Sequence, residues 1–287
     1  MAYSRHASSA GLTSGVPIGT PRLRQTMGLR RILARSPVMA AAVFSVGWLA
    51  LGQLIYVGLD WLMPDATYVS RSLVRASLSA AVVGGLLTSL GWWQRAGLVS
   101  RPGAQHLGYL VIPLVLEASP LVVHGLAWQS GVSLDLAISG LWAIWALLIA
   151  FAEEGMWRGV LLMALAPSGI RRAVLISAFA FGLTHLGSAF FGWPLTTVLP
   201  MVALTTGMGI MSGALALRLA TLWPVILLHA GYDFLCLCPA FQVTRGMCGC
   251  VAFAFLAIGL AAAGYGLALL ELPATAASPS LRRYSPQ

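Results

Sequence analysis

Six ionisable side chains interrupt otherwise apolar stretches of this 287-residue chain: Glu117, Glu153, Glu154, Arg158, His185 and His229, with Asp233 close behind. Most of them fall into three short patterns: Glu153-Glu154-Gly155-Met156-Trp157-Arg158, Phe181-Gly182-Leu183-Thr184-His185, and His229-Ala230-Gly231-Tyr232-Asp233. Each pattern sets two residues at i and i+4, one turn apart on one helix face. Carboxylates and imidazoles drawn from separate helices suit hydrolysis. A carboxylate withdrawn from water is a competent base for activating a water molecule. A nearby imidazole can supply a hydrogen bond where an oxyanion develops. Other uses of the same residues are a structural ion pair between the glutamates and Arg158, a zinc site built from Glu153, His185 and His229, and a proton-carrying path.

The elements that must position these groups are membrane-spanning helices. Residues are 59% hydrophobic and only 9% charged, against about a quarter charged in an average soluble domain. Apolar stretches long enough to cross ~30 Å of hydrocarbon occur at roughly 38–58, 76–93, 108–127, 136–165, 173–191, 196–217, 221–238 and 250–270. The expected fold is an all-α transmembrane bundle of about eight spans, with the site between spans four, five and seven. The net charge of +9 follows membrane topology, and no nucleic-acid site is expected. With the N-terminus in the cytoplasm, only Arg71, Arg75 and Arg245 fall outside, Arg158 is intramembrane, and every other arginine lies inside. Both termini are therefore expected in the cytoplasm. Arg30-Arg31 reads as the flank of a retained first helix, not as a cleaved signal.

Trp92, Trp93, Trp128 and Trp193 fall at span ends, where an aromatic belt is expected. His124 is expected at the outer interface. Pro113 and Pro120 flank Glu117 and predict a distorted third span, in which Glu117 pairs with Arg158 or lines a cavity. The cysteines form two Cys-x-Cys pairs, Cys236/Cys238 and Cys248/Cys250. Disulfides, free thiols and a metal site all remain open for them. The chain contains no lysine, a bias that suggests a bacterial protein in the plasma (inner) membrane.

Depth offers a separate test. From the cytoplasmic helix ends, Glu153 lies about 18 Å deep, His185 about 20 Å and His229 about 15 Å, at 1.5 Å per residue. Three helices thus bring a carboxylate and two imidazoles to one level.

The patterns EExxxR, FxxxH and HxxxD, in this order on apolar helices, resemble those of the CPBP family of intramembrane glutamic endopeptidases (CAAX proteases and bacteriocin-processing enzymes). The resemblance spans about residues 136–238. It implies a metal-independent peptidase with no cofactor, acting on a membrane-anchored peptide or protein tail near its C-terminus. It further implies that Glu153 is the general base and that His185 assists the water or the intermediate. His229 and Asp233 would line the oxyanion side. Arg158 would hold Glu154, and Phe181 would wall the cavity. Position 233 is Asp where the prenyl-protein proteases carry Asn. An ionised Asp donates no hydrogen bond, so orienting His229 is the alternative role. The chain divides into a basic tail (1–36), three spans (37–135), the motif-bearing core (136–240), a last span (241–271) and a second tail (272–287). Two other functions share these features: a non-catalytic immunity or scaffold protein, and a proton-coupled transporter.

Overall fold

The computed structural model describes residues 36–101, 104–120, 135–237 and 249–273. The chain expected as tails, apart from Ser36, Leu272 and Pro273, lies outside these, as do His124, Trp128, Cys238 and Cys248. The described helices are α1 (Pro37–Leu62), α2 (Tyr68–Leu90), α3 (Val111–Glu117), α4 (Leu136–Glu154), α5 (Ile170–Thr184), α6 (Leu195–Leu219), α7 (Trp223–Leu237) and α8 (Gly249–Glu271). A 3-10 turn, Ala104–Leu110, leads into α3. Past Glu154 the α4 helix continues as a π-helical segment, Gly155–Leu162, and α5 continues as a 3-10 segment, His185–Phe191.

Among the described residues six helices, counting these continuations with their parent helices, are long and apolar enough to cross a membrane. They correspond to the expected spans one, two, four, five, six and eight. The expected third and seventh spans are shorter in the described chain, as the apolar helix His106–Glu117 and as α7. The residues after Pro120 and after Leu237 lie outside the description. The bundle carries large apolar side chains on its outer surface from almost every helix, among them Val46, Leu54, Phe179, Leu183, Phe253 and Leu260. A soluble monomer rarely shows so much contiguous apolar surface, whereas lipid makes it the favourable outside.

Local sequence sets the helix ends. Thr67 caps α2 by accepting from the Ser70 amide at 3.2 Å, a favoured N-cap arrangement. Gly91 closes the helix at φ +64°, the left-handed conformation that glycine adopts without strain. The second span therefore begins at Tyr68, earlier than the expected residue 76, and Arg75 lies within the helix instead of before it. An ion pair from Arg71 to Asp60, 2.9 Å long, ties α2 back to α1. Asp135 caps α4 by accepting from the amides of Ala137 and Ile138.

The turn after Gly91 corrects one expectation of the aromatic belt. Trp92 is buried within the bundle, with the Arg95 guanidinium 4.7 Å from its ring centre, because the chain folds back towards the bundle. Trp93 packs on Phe151 of α4, while Trp193 stays exposed near the end of its span. The same returning loop secures the start of α7. Thr221 donates to the carbonyls of Gly97 and Ser100, and the Trp223 indole donates to the Leu98 carbonyl at 2.8 Å. Gly97 has φ +75°, and a Cβ there would lie 2.9 Å from the Thr221 Cα, so only glycine fits this crossing.

Helices α6 and α8 approach each other closely at the backbone. A Cβ on Gly207 would collide with the Gly259 carbonyl, and one on Gly266 would press on the Met211 backbone. Small residues that let backbones touch replace the missing hydrophobic drive between helices in lipid. The end of this pair is pinned by the buried Arg218, which donates to the carbonyls of Leu269, Leu272 and Pro273. Replacing Gly207 by Leu is expected to cost about 3 kcal/mol through overpacking, read as a lowered melting midpoint of the detergent-solubilised protein.

Candidate functional site

Glu154 and Arg158 stand one turn apart where α4 passes into its π-helical continuation. Arg158 Nη1 donates to Glu154 Oε1 at 2.9 Å, with both side chains almost fully buried. The same oxygen takes a second hydrogen bond from His229 Nδ1 of α7, also 2.9 Å. One carboxylate oxygen thus joins α4 to α7. Since an ionised carboxylate only accepts, Nδ1 carries a proton and Nε2 is the nitrogen directed away from Glu154. Glu153 Oε2 lies 3.8 Å from that Nε2, and Asp233 Oδ2 lies 3.6 Å from it. Both gaps exceed hydrogen-bond length.

Phe181 of α5 is the common wall. The Arg158 guanidinium lies 4.6 Å over its ring, within cation–π range. Its ring centre is 5.0 Å from that of His185 and 6.2 Å from that of His229. His185 opens the 3-10 segment after α5, and its Nδ1 faces the Phe181 carbonyl at 3.2 Å. A carbonyl can only accept, which puts the proton of the neutral ring on Nδ1 and the lone pair on Nε2.

The π-helical stretch is what turns this part of α4 inward. All eight of its residues are buried, and side chains from neighbouring elements bond its backbone and the turn just beyond it. Ser177 of α5 donates to the Trp157 carbonyl at 2.8 Å, and Arg95 donates to the Met163 carbonyl at 2.8 Å. Gly209 of α6 makes room for the guanidinium: a Cβ there would sit 3.2 Å from Arg158 Nη2 and 3.0 Å from the Ala178 Cβ. Among the described residues, Glu154 Oε2 and Arg158 Nε and Nη2 have no hydrogen-bond partner, which makes this a polar pocket within an apolar bundle.

The two adjacent glutamates have different surroundings. The Glu154 side chain is 2% exposed, whereas that of Glu153 is 22% exposed. Glu153 lines a half-open cleft of about 140 Å³ between α1, α2 and α4. All seven residues of the three motifs singled out in the sequence, Glu153, Glu154, Arg158, Phe181, His185, His229 and Asp233, thus gather in one region. Glu117 is buried on α3, which packs on α7, within electrostatic reach of His229, Glu154 and Asp233. Arg158 is bonded to Glu154 and not to Glu117, so of the two roles expected for Glu117 the pair with Arg158 is not formed, and the side chain lies beside the cluster. Cys236 is a free thiol. The rest of the cysteine arrangement lies outside the described side chains. Among the described residues no group of three His, Cys, Asp or Glu is arranged to hold a metal ion.

Sequence reasoning did not find the bond between His229 and Glu154, the Ser177 support, or the presence of Arg75 and Gln53 in the cleft with Glu153. The Thr67-x-x-Ser70 cap was the available signal that α2 begins before Arg75.

The three motifs, gathered in a multi-pass helical bundle, are similar to those of the CPBP/CAAX intramembrane proteases over about a third of the chain. Residues 136–235 match the family model described as type II CAAX prenyl endopeptidase Rce1-like, a segment that holds all three motifs and ends before α8. No curated protein and no solved structure matches the chain.

Removal of Arg158 would leave the Glu154 carboxylate buried without its guanidinium, a change that costs about 3–5 kcal/mol for buried pairs. Arg158→Ala is therefore expected to melt well below the parent protein. Arg158→Ala combined with Glu154→Gln is expected to recover part of the loss, as measured by thermal unfolding in detergent.

Proposed function

We propose that this chain is an intramembrane endopeptidase in which Glu153 activates the attacking water and the substrate is a membrane-anchored peptide or protein tail, cut near its C-terminus. The observation that carries the proposal is the division between the two carboxylates: Glu154 is sealed and doubly bonded, while Glu153 faces an open cleft beside an imidazole.

In this mechanism a water at Glu153 gives its proton to the carboxylate as its oxygen attacks the scissile carbonyl carbon. His185, with its lone pair on Nε2, accepts from the same water and aims it. His229 is held by Glu154 through Nδ1. In its imidazolium form it donates from Nε2 to the oxyanion of the tetrahedral intermediate. Asp233, one turn along α7, orients that ring and takes the place of a direct donor. Collapse of the intermediate breaks the C–N bond, and Glu153 returns the proton to the leaving amine. Arg158 and Phe181 keep Glu154 and both imidazoles in position. The family match supports proteolysis in general, and the gathered side chains support these roles.

Glu153→Gln keeps the shape and removes the base. Cleavage is expected to fall by at least about a hundredfold with folding intact, and comparison of peptides from membranes with the parent or the variant protein would read this directly and expose the substrates. Identical peptide profiles together with unchanged cellular function would instead support a non-catalytic scaffold. Cleavage is also expected to survive treatment with a zinc chelator, and its loss would restore the zinc alternative.

A further inference from the structure

The cleft that exposes Glu153 contains a cation for which the mechanism above has no use. Its wall includes Trp48 and Gln53 of α1, Arg75 and Ser79 of α2, and Ile149 beside Glu153 on α4. Residues 71, 75 and 79 fall on one face of α2 at successive turns. Arg71 is neutralised by Asp60 at 2.9 Å. Arg75, one turn deeper, has no carboxylate within ion-pair distance among the described residues, although it lies within electrostatic reach of Glu153. The nearest ionic partner of Glu153 is His229, not Arg75. An arginine in a membrane-spanning helix is costly when its charge is unmet. This one is half-buried and borders the open space of the cleft.

We propose that Arg75, with the Gln53 amide beside it, is the subsite that holds the free C-terminal carboxylate of the substrate while the scissile peptide bond lies at Glu153. This subsite rests on the peptidase function proposed above. A guanidinium is a planar fork that binds a carboxylate through two parallel hydrogen bonds. The Gln53 amide can donate to a neighbouring peptide carbonyl or accept from a peptide N–H. Extended peptide advances ~3.3 Å per residue, and Arg75 and Glu153 line one cleft, so a short C-terminal tail spans from cation to carboxylate. The site thereby favours chain ends over internal loops, which bring no terminal carboxylate to this point.

The test uses the full-length protein in detergent and a pool of lipid-anchored peptides randomised over the last four positions, made once with a free acid terminus and once as the carboxamide. Binding of both pools is measured on the Glu153→Gln variant, and cleavage on the parent. The acid pool is expected to bind and to be cut roughly ten- to a hundredfold better than the amide pool, the scale of a hydrogen bond to a charged group, with the difference in KM. Arg75→Gln is expected to reduce the acid pool to the level of the amide pool. Arg75→Lys, which keeps the charge but not the fork, should fall between them and guards against a folding defect, checked by melting. Equal binding of acid and amide pools overturns the subsite, as does an Arg75→Gln variant that still prefers the acid. If neither pool is cut but Arg75 still selects the acid in binding, the subsite stands and the peptidase function falls.

Discussion

A buried arginine anchors the polar interior of this bundle. The Arg158 guanidinium is withdrawn from water by α4, α5 and α6, and it remains stable there because Glu154 meets it one turn away. An unpaired charge at that depth would be expensive, so the pair cannot be altered at one end only. The oxygen that satisfies Arg158 also receives His229. The position of α7 relative to α4 therefore depends on the same carboxylate. Phe181, lying under the guanidinium and edge-on to both imidazoles, extends that dependence to α5.

The π-helical segment is the backbone counterpart of this network. It turns eight successive buried residues through a wider turn than an α-helix allows, and Ser177 and Arg95 supply hydrogen bonds to its backbone and to the turn beyond. Glycine enters at Gly209, where the guanidinium and Ala178 leave no room for a side chain. Stability and site geometry are thus not separable here. The interactions that offset the burial of charge are the ones that fix where each side chain points.

The cluster was legible in the chain because charge in an apolar helix is costly enough to stand out. Glu153, Glu154, Arg158, His185 and His229 could be picked out on that ground alone, and their i, i+4 spacing placed partners on shared faces. The difference between Glu153 and Glu154 was not legible. Neighbours on a helix point about 100° apart, and which of them meets the cleft depends on how α4 is rotated against α1 and α2. The bond between residues 154 and 229 depends likewise on tertiary placement. Arg75 was misplaced because an apolar scan starts a span at the first long hydrophobic run, whereas the helix starts at its cap, Thr67. Trp92 looked interfacial by position, yet a left-handed glycine one residue earlier turns it inward.

The latch at Gly97 joins the loop after α2 to the first residues of α7, and Arg95 in the same loop reaches the end of the α4 unit. The cleft wall contributed by α1 and α2 packs on α4 through apolar side chains such as Val83, which lies against Gly155, and takes no part in the Glu154–Arg158–His229 bonds. Wall and core are consequently separable under mutation. Side chains such as Trp48, Gln53 and Ser79 line the cleft without entering an ion pair, so their exchange would reshape its wall and leave the charged cluster beneath it intact.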